Sequence, residues 1–162
     1  MDMNSTILIT GASSGIGKAC AERLAQTGSR LILTARRGDR LETLAESLRM
    51  IGAEVHTAIL DVRDRAACEA FVDAIPTEFR KIRVLVNNAG LAAGLGPMQT
   101  GDTDHWDRMI DTNLKGLLYV SRAVIPLMYG VEGAQIVNIG SVAGKEVYPG
   151  GNVYCASKHA VD

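Results

Sequence analysis

Apolar positions along this chain alternate between short unbroken runs and helical spacing, and the alternation repeats throughout its length. Ile7-Leu8-Ile9 leads into a glycine-rich turn, after which Ile16, Ala19, Cys20 and Leu24 recur at helical intervals up to Gly28. A second strand is predicted over Leu31 to Ala35; Leu41, Leu44, Ala45, Leu48 and Ile51 then mark a helix face closed by Gly52. Val55 to Leu60 reads as a strand ending at Asp61, and Asp64 is placed to cap a helix running towards Ile75, with Pro76 after it. Val84-Leu85-Val86 fits a short strand buried on both faces, and it leads to Asn87-Asn88-Ala89-Gly90. Beyond a loop from Gly90 to Gly101, Thr103 can cap a long helix carrying Trp106, Met109, Ile110, Leu114, Leu117, Val124 and Met128, with Pro126 a point of kinking. Gln135 to Ile139 predicts a fifth strand, and a last helix begins near Asn152.

Strands alternating with helices predict one α/β domain over residues 1–162. Its expected architecture is a Rossmann-type doubly wound parallel sheet, covered on both faces and wound right-handedly, with ligands at the carboxyl ends of the strands. Thr10 to Gly17, Ala35 to Arg37, Asp61, Asn87 to Gly90 and Ser141 each fall just after a strand, so this topology draws them towards one cleft.

Composition narrows the choice of ligand. With 162 residues, 47% of them hydrophobic, the chain can bury a real core as a single domain. A formal net charge of -1 and an aromatic content of 4% give neither a basic field nor stacking platforms, so no nucleic-acid partner is expected. No apolar run approaches the ~20 residues of a membrane span. No signal-peptide pattern is visible at the start, so no membrane partner is expected and the cytoplasm is the expected compartment. Cys20, Cys68 and Cys155 are widely spaced within apolar helical patterns and read as buried thiols. His56, His105 and His159 share no spacing that suits a metal, and none is expected.

The chemistry begins at Thr10-Gly11-Ala12-Ser13-Ser14-Gly15-Ile16-Gly17, a strand-turn-helix junction. The first amides of a helix lack partners within it and carry partial positive charge, so a pyrophosphate can rest on them if no side chain intervenes. Gly11 suits the tight turn, Gly15 leaves the gap, and Gly17 allows close packing of helix on strand. The spacing is T-G-x-x-x-G-x-G rather than G-x-G-x-x-G, and it is no Walker A loop, because Ala19 follows Lys18. After the second strand, where an acidic residue would bind the ribose of NAD, stand Arg36 and Arg37. A planar, permanently charged guanidinium suits the 2′-phosphate of NADP, which is the expected cofactor. Tyr154 and Lys158, four residues apart, share one helix face. A phenol has an unperturbed pKa of about 10, and a neighbouring ammonium favours its ionised form. Tyr154 is therefore a candidate to exchange a proton with a carbonyl or alcohol oxygen, and Ser141 a candidate to hydrogen-bond that oxygen.

Taken together these residues resemble the short-chain dehydrogenase/reductase family: its glycine motif at Thr10 to Gly17, its N-N-A-G at Asn87 to Gly90, and its Y-x-x-x-K at Tyr154 to Lys158. Ser141 stands thirteen residues before Tyr154, as the family's catalytic serine does, and Asn113 lies in N-x-x-G with Gly116, as its catalytic asparagine does. The resemblance implies Tyr154 as general acid/base, Ser141 as the group that orients the reacting oxygen, and Lys158 as the holder of the nicotinamide ribose. It also implies a relay water at Asn113, adenine contacts from Asp61 and Val62, and contact of Asn88 with the cofactor's ribose region. A small-molecule alcohol or carbonyl is the implied substrate, and pairing of the two helices bearing these residues implies a homodimer or homotetramer.

A narrower likeness, in Gly90-Leu91-Ala92, in Trp106 to Gly116 and in Gly150 to Tyr154, is to NADP-dependent 3-hydroxy acid dehydrogenases acting on serine and similar short hydroxy acids. Family members continue past the Tyr/Lys helix through further strands, so the domain is expected to be incomplete at its carboxy-terminus. The alternative function is a catalytically inactive NADP-binding or regulatory module.

Overall fold

The computed structural model describes residues 5–162; residues 1–4 of the expected 1–162 domain lie outside the described residues. Five strands form one sheet: β1 (Thr6–Thr10), β2 (Arg30–Ala35), β3 (Val55–Ile59), β4 (Ile82–Asn87) and β5 (Gln135–Asn138). Their spatial order is β3-β2-β1-β4-β5, and every neighbouring pair is parallel. The intervening helices are α1 (Gly15–Ala25), α2 (Gly38–Met50), α3 (Arg65–Asp73), α4 (Thr103–Ile110), α5 (Leu117–Val124) and α6 (Asn152–Val161).

Because successive strand residues point to opposite faces, the apolar runs divide between two cores. Ile7 and Ile9 of β1 join Leu31, Leu33 and Val86 in packing against Ala21 and Ala25 of α1 and Leu41, Leu44, Ala45 and Leu48 of α2. Leu8, Ile32, Ile82 and Leu85 face the other way, onto Cys68, Phe71 and Val72 of α3 and Val120 and Val124 of α5. This two-sided burial explains why the central strands read as continuous apolar runs rather than alternating ones.

Several local expectations are corrected. The helix expected to run from Thr103 to Met128 is not uniform: α4 passes into one π-helical segment, Asp111–Gly116, then α5, and ends as a 3₁₀ turn, Ile125–Met128, where Pro126 sits. Ile51 caps the end of α2 and is exposed, and Ile16 is 58% exposed instead of joining the core face of α1. Cys68 and Cys155 are buried, whereas Cys20 is only partly so. The Asp64 cap forms as expected, its carboxylate accepting from the Ala67 amide at 2.9 Å.

Candidate active site

The carboxyl ends of β1 to β5 open onto a single cleft of about 560 Å³, a size usual for small-molecule and cofactor sites. Its wall includes Gly11, Ser13, Ser14, Gly15, Ile16, Arg36, Arg37, Asp61, Val62, Asn88, Tyr154 and Lys158 from among the expected residues. The others stand behind or beside it. Ala12 is fully buried with its amide on Thr34 O at 3.0 Å, and Gly17 is buried against the Asn88 amide group.

The turn after β1 is built to stay open. Gly15 has φ +57°, and a Cβ there would meet nothing within 4 Å, so backbone amides face free space. Ser14, at the N-cap of α1, makes no side-chain cap, and no acidic residue occupies the first turn; an anion can therefore occupy that end of the helix. Gly17 has the opposite reason for being glycine: a Cβ would lie 2.4 Å from Asn88 Nδ2 and 2.8 Å from Gly11 O. Asn88 occupies that space because its amide donates to Thr10 O at 2.8 Å and Gly11 O at 3.2 Å. The Thr10 hydroxyl in turn accepts from the Asn88 and Ala89 amides, both at 3.0 Å. This latch fixes the glycine turn against the loop after β4.

Arg37 joins the second strand's end to the same turn, its Nη2 donating to Ser13 Oγ at 3.1 Å and Ser14 Oγ at 2.8 Å. Arg36 lies beside it on the wall. Guanidinium, two hydroxyls and uncapped amides together make a donor-rich end that fits the phosphates of a dinucleotide. At the third strand's end, Asp61 accepts from Arg63 Nε at 3.0 Å and Nη2 at 2.6 Å. The Arg63 hydrogen bonds hold the Asp61 carboxyl below its usual range, with Arg36 adding a smaller attraction. Val62 packs against Gly116, where a Cβ would come within 2.6 Å of Val62 Cγ2, so glycine in N-x-x-G lets the π-helical segment close on this wall.

At the other end stand Tyr154 and Lys158 on α6. Lys158 is 8% exposed and its ammonium donates to Ile139 O at 2.8 Å; burial pushes its pKa below the ordinary value. Ser141 does not line the cleft, but its neighbour Gly140 does. The Ser141 Oγ accepts from the Ala143 amide at 3.1 Å, opening the 3₁₀ turn Val142–Gly144. That bond leaves the hydroxyl hydrogen free to donate.

Asn113 is buried behind the wall. Its Oδ1 accepts from Leu91 N at 2.8 Å, while its amide hydrogens go to Leu91 O at 2.9 Å and Ser157 Oγ at 3.0 Å. Ala89 and Gly90 line the cleft as the topology predicts; cleft residues the sequence did not single out include Leu91, Ala92, Thr112, Ile139 and Gly140. Their signal was position: all but Thr112 follow directly from the ends of β4 and β5. Thr112 reaches the wall through the π-helical segment, which periodicity does not announce.

Comparison with known proteins follows the same lines. The family described as short chain dehydrogenase matches residues 5–162. Sulfoacetaldehyde reductase 2 of Chromohalobacter salexigens is 52% identical over 157 residues, 96% of this chain and 62% of that protein. The NADP-dependent 3-hydroxy acid dehydrogenase YdfG of Salmonella typhi is 49% identical over 152 residues, 94% of this chain and 60% of that protein. The closed form of a serine dehydrogenase complexed with NADP+ superposes with a TM-score of 0.91 at 46% identity, covering 96% of this chain and 62% of that one. This chain thus spans 60% to 62% of the length of these relatives.

Proposed function

The chain belongs to the short-chain dehydrogenase family, and from that premise we propose that it forms the dinucleotide-binding and catalytic part of an NADP-dependent oxidoreductase. The reaction is the interconversion of a secondary alcohol and its carbonyl compound by hydride transfer. The observation that carries this reading is the shared cleft, in which the open Gly15 turn, Arg36 and Arg37, Asp61 and Val62, and the Tyr154 and Lys158 face line one wall.

When bound, the nicotinamide cofactor supplies or accepts the hydride. The protein's part is binding and proton handling. Gly11 to Ile16 and the α1 amides would hold the pyrophosphate, Arg36 and Arg37 the 2′-phosphate, and Asp61 with Val62 the adenine side. The Tyr154 hydroxyl gives its proton to a carbonyl oxygen during reduction and takes one from the alcohol during oxidation. Ser141 donates its free hydroxyl hydrogen to that same oxygen. The Lys158 ammonium, lining the cleft beside the Ile139 carbonyl, would hold the ribose. A relay water at Asn113 would need a partner other than the side-chain amide hydrogens, since both are engaged.

The relatives named for sulfoacetaldehyde and for 3-hydroxy acids share one substrate chemistry: a short chain with a reacting carbonyl or hydroxyl and an anionic tail. We propose that class here, with short 3-hydroxy acids such as serine included, and a homodimer or homotetramer in the cytoplasm as the working form.

The test is NADPH oxidation by the longest natural form of the polypeptide against short aldehydes and keto acids. Turnover on at least one anionic member is expected. Tyr154→Phe should lower kcat by roughly 100- to 10,000-fold while leaving NADPH binding within about 3-fold, since the phenol makes its decisive interaction only in the transition state. Unchanged turnover in Tyr154→Phe removes Tyr154 from the mechanism.

A further inference from the structure

Ser157 lies between Tyr154 and Lys158 on α6 and is fully buried. It touches neither the cleft nor the reacting atoms, yet its hydroxyl is used in both directions. It donates to Tyr154 O at 2.8 Å and accepts from Asn113 Nδ2 at 3.0 Å. A serine hydroxyl bonded back to a carbonyl of its own helix is common and purely local. The bond it accepts is different, because it arrives from a residue 44 positions earlier, in the π-helical segment.

Asn113 carries the connection onward. Its remaining donor and its oxygen close a two-bond clamp on the Leu91 backbone, at 2.9 Å and 2.8 Å. Leu91 belongs to the cleft wall. One unbroken series of hydrogen bonds, buried at Asn113 to Ser157 and part-buried elsewhere, therefore runs from the turn of α6 that carries Tyr154, through Ser157 and Asn113, to the loop after β4. Gly90 shows how little slack surrounds it: the point a Cβ would occupy there lies 3.3 Å from Asn113 Oδ1 and 3.7 Å from Lys158 Nζ. A rotation of the Asn113 side chain would shift the Gly90 and Leu91 backbone beside the Lys158 ammonium.

Resting on the reading of Tyr154 and Lys158 given above, we propose that Ser157 is a positioning residue: through Asn113 it locks the Tyr154 and Lys158 helix to the Leu91 loop. Removing its hydroxyl leaves one Asn113 amide hydrogen buried without an acceptor, an expensive condition that side-chain rotation would relieve. Rotation opens the Leu91 clamp and moves Lys158 relative to Tyr154.

Two readouts test this, one of them independent of turnover. By amide hydrogen exchange, Ser157→Ala should speed exchange at Leu91 at least about 10-fold, with Ser157→Thr, which keeps the hydroxyl, close to wild type. In steady-state kinetics of the full polypeptide, Ser157→Ala should lower kcat about 10- to 100-fold with the KM for NADPH changed less than about 3-fold. Added to Asn113→Ala, it should cost less than about 3-fold more. Unchanged exchange at Leu91 in folded Ser157→Ala overturns the proposal, as do effects of Ser157→Ala and Asn113→Ala that simply multiply. If Ser157→Thr fails to fold, exchange in Ser157→Ala still decides. Absence of wild-type turnover on every substrate would instead refute the proposed reaction, leaving the exchange result to judge the lock.

Discussion

Lys158 carries a mostly buried cation to the edge of the cleft, where among the described residues only the Ile139 carbonyl receives it. Desolvation of an incompletely paired charge is destabilising, so stability is given up there, as the proposed role in chemistry would require. Lys158→Met, of similar length and apolar, should abolish turnover and stabilise the fold by roughly 1 kcal/mol, raising Tm by about 2–4 °C at neutral pH. The pH dependence has a definite sign. Burial lowers the folded pKa below the ordinary 10.5; between those values the unfolded chain binds the extra proton, so wild-type stability rises with pH. The advantage of Lys158→Met should therefore narrow as pH climbs towards 10.5 in thermal melts, and a constant difference would contradict it.

Arg37 makes a second residue-scale case. Its guanidinium spans Ser13 and Ser14, so Arg37→Leu should raise the KM for NADPH roughly 10- to 100-fold, the value of one or two charge-assisted hydrogen bonds. The KM for NADH should change little, and equal losses for both would remove Arg37 from 2′-phosphate recognition. Arg37, Tyr154 and Lys158 could be chosen from the sequence because position after a strand or spacing on a helix marks them. Ser157 could not, since the partner that gives it meaning comes from a distant element.

At the scale of elements, local signals worked where the cause was local. Asp64 follows β3 by a few residues and caps α3 as its residue type suggests. Asp64→Ala should cost about 1 kcal/mol and lower Tm by about 2–4 °C without altering cofactor affinity; an unshifted melt would show that the cap contributes nothing. The long helix was only half legible. Apolar spacing found its extent, but the π-helical segment Asp111–Gly116 answers to tertiary demands: Thr112 towards the cleft, Asn113 towards Leu91 and Ser157, Gly116 against Val62. An insertion of that kind leaves the hydrophobic period nearly intact, so periodicity reads through it. Ile16 misled for a related reason, since an apolar residue facing a ligand cleft has the same spacing as one facing a core.

For the molecule as a whole, the alternation of strands and helices was enough to predict a parallel sheet covered on both faces, because few other arrangements bury such runs. The order β3-β2-β1-β4-β5 needed the structure. The outer side of the α4 to α5 helix carries Leu118 at 54% exposure, and α6 packs beside its π-helical segment, so this face is where a second copy is proposed to pair. Leu118→Glu should shift the assembled form towards monomer by light scattering; an unchanged mass would move the proposed interface elsewhere.

The Thr10 to Asn88 latch joins residues 78 positions apart, with β1 made early and its partner β4 made late. A nascent chain emerging from the ribosome therefore exposes its glycine turn long before the loop that braces it exists. Until β4 arrives, that early half lacks the brace on its glycine turn and β1 has only β2 as a neighbouring strand.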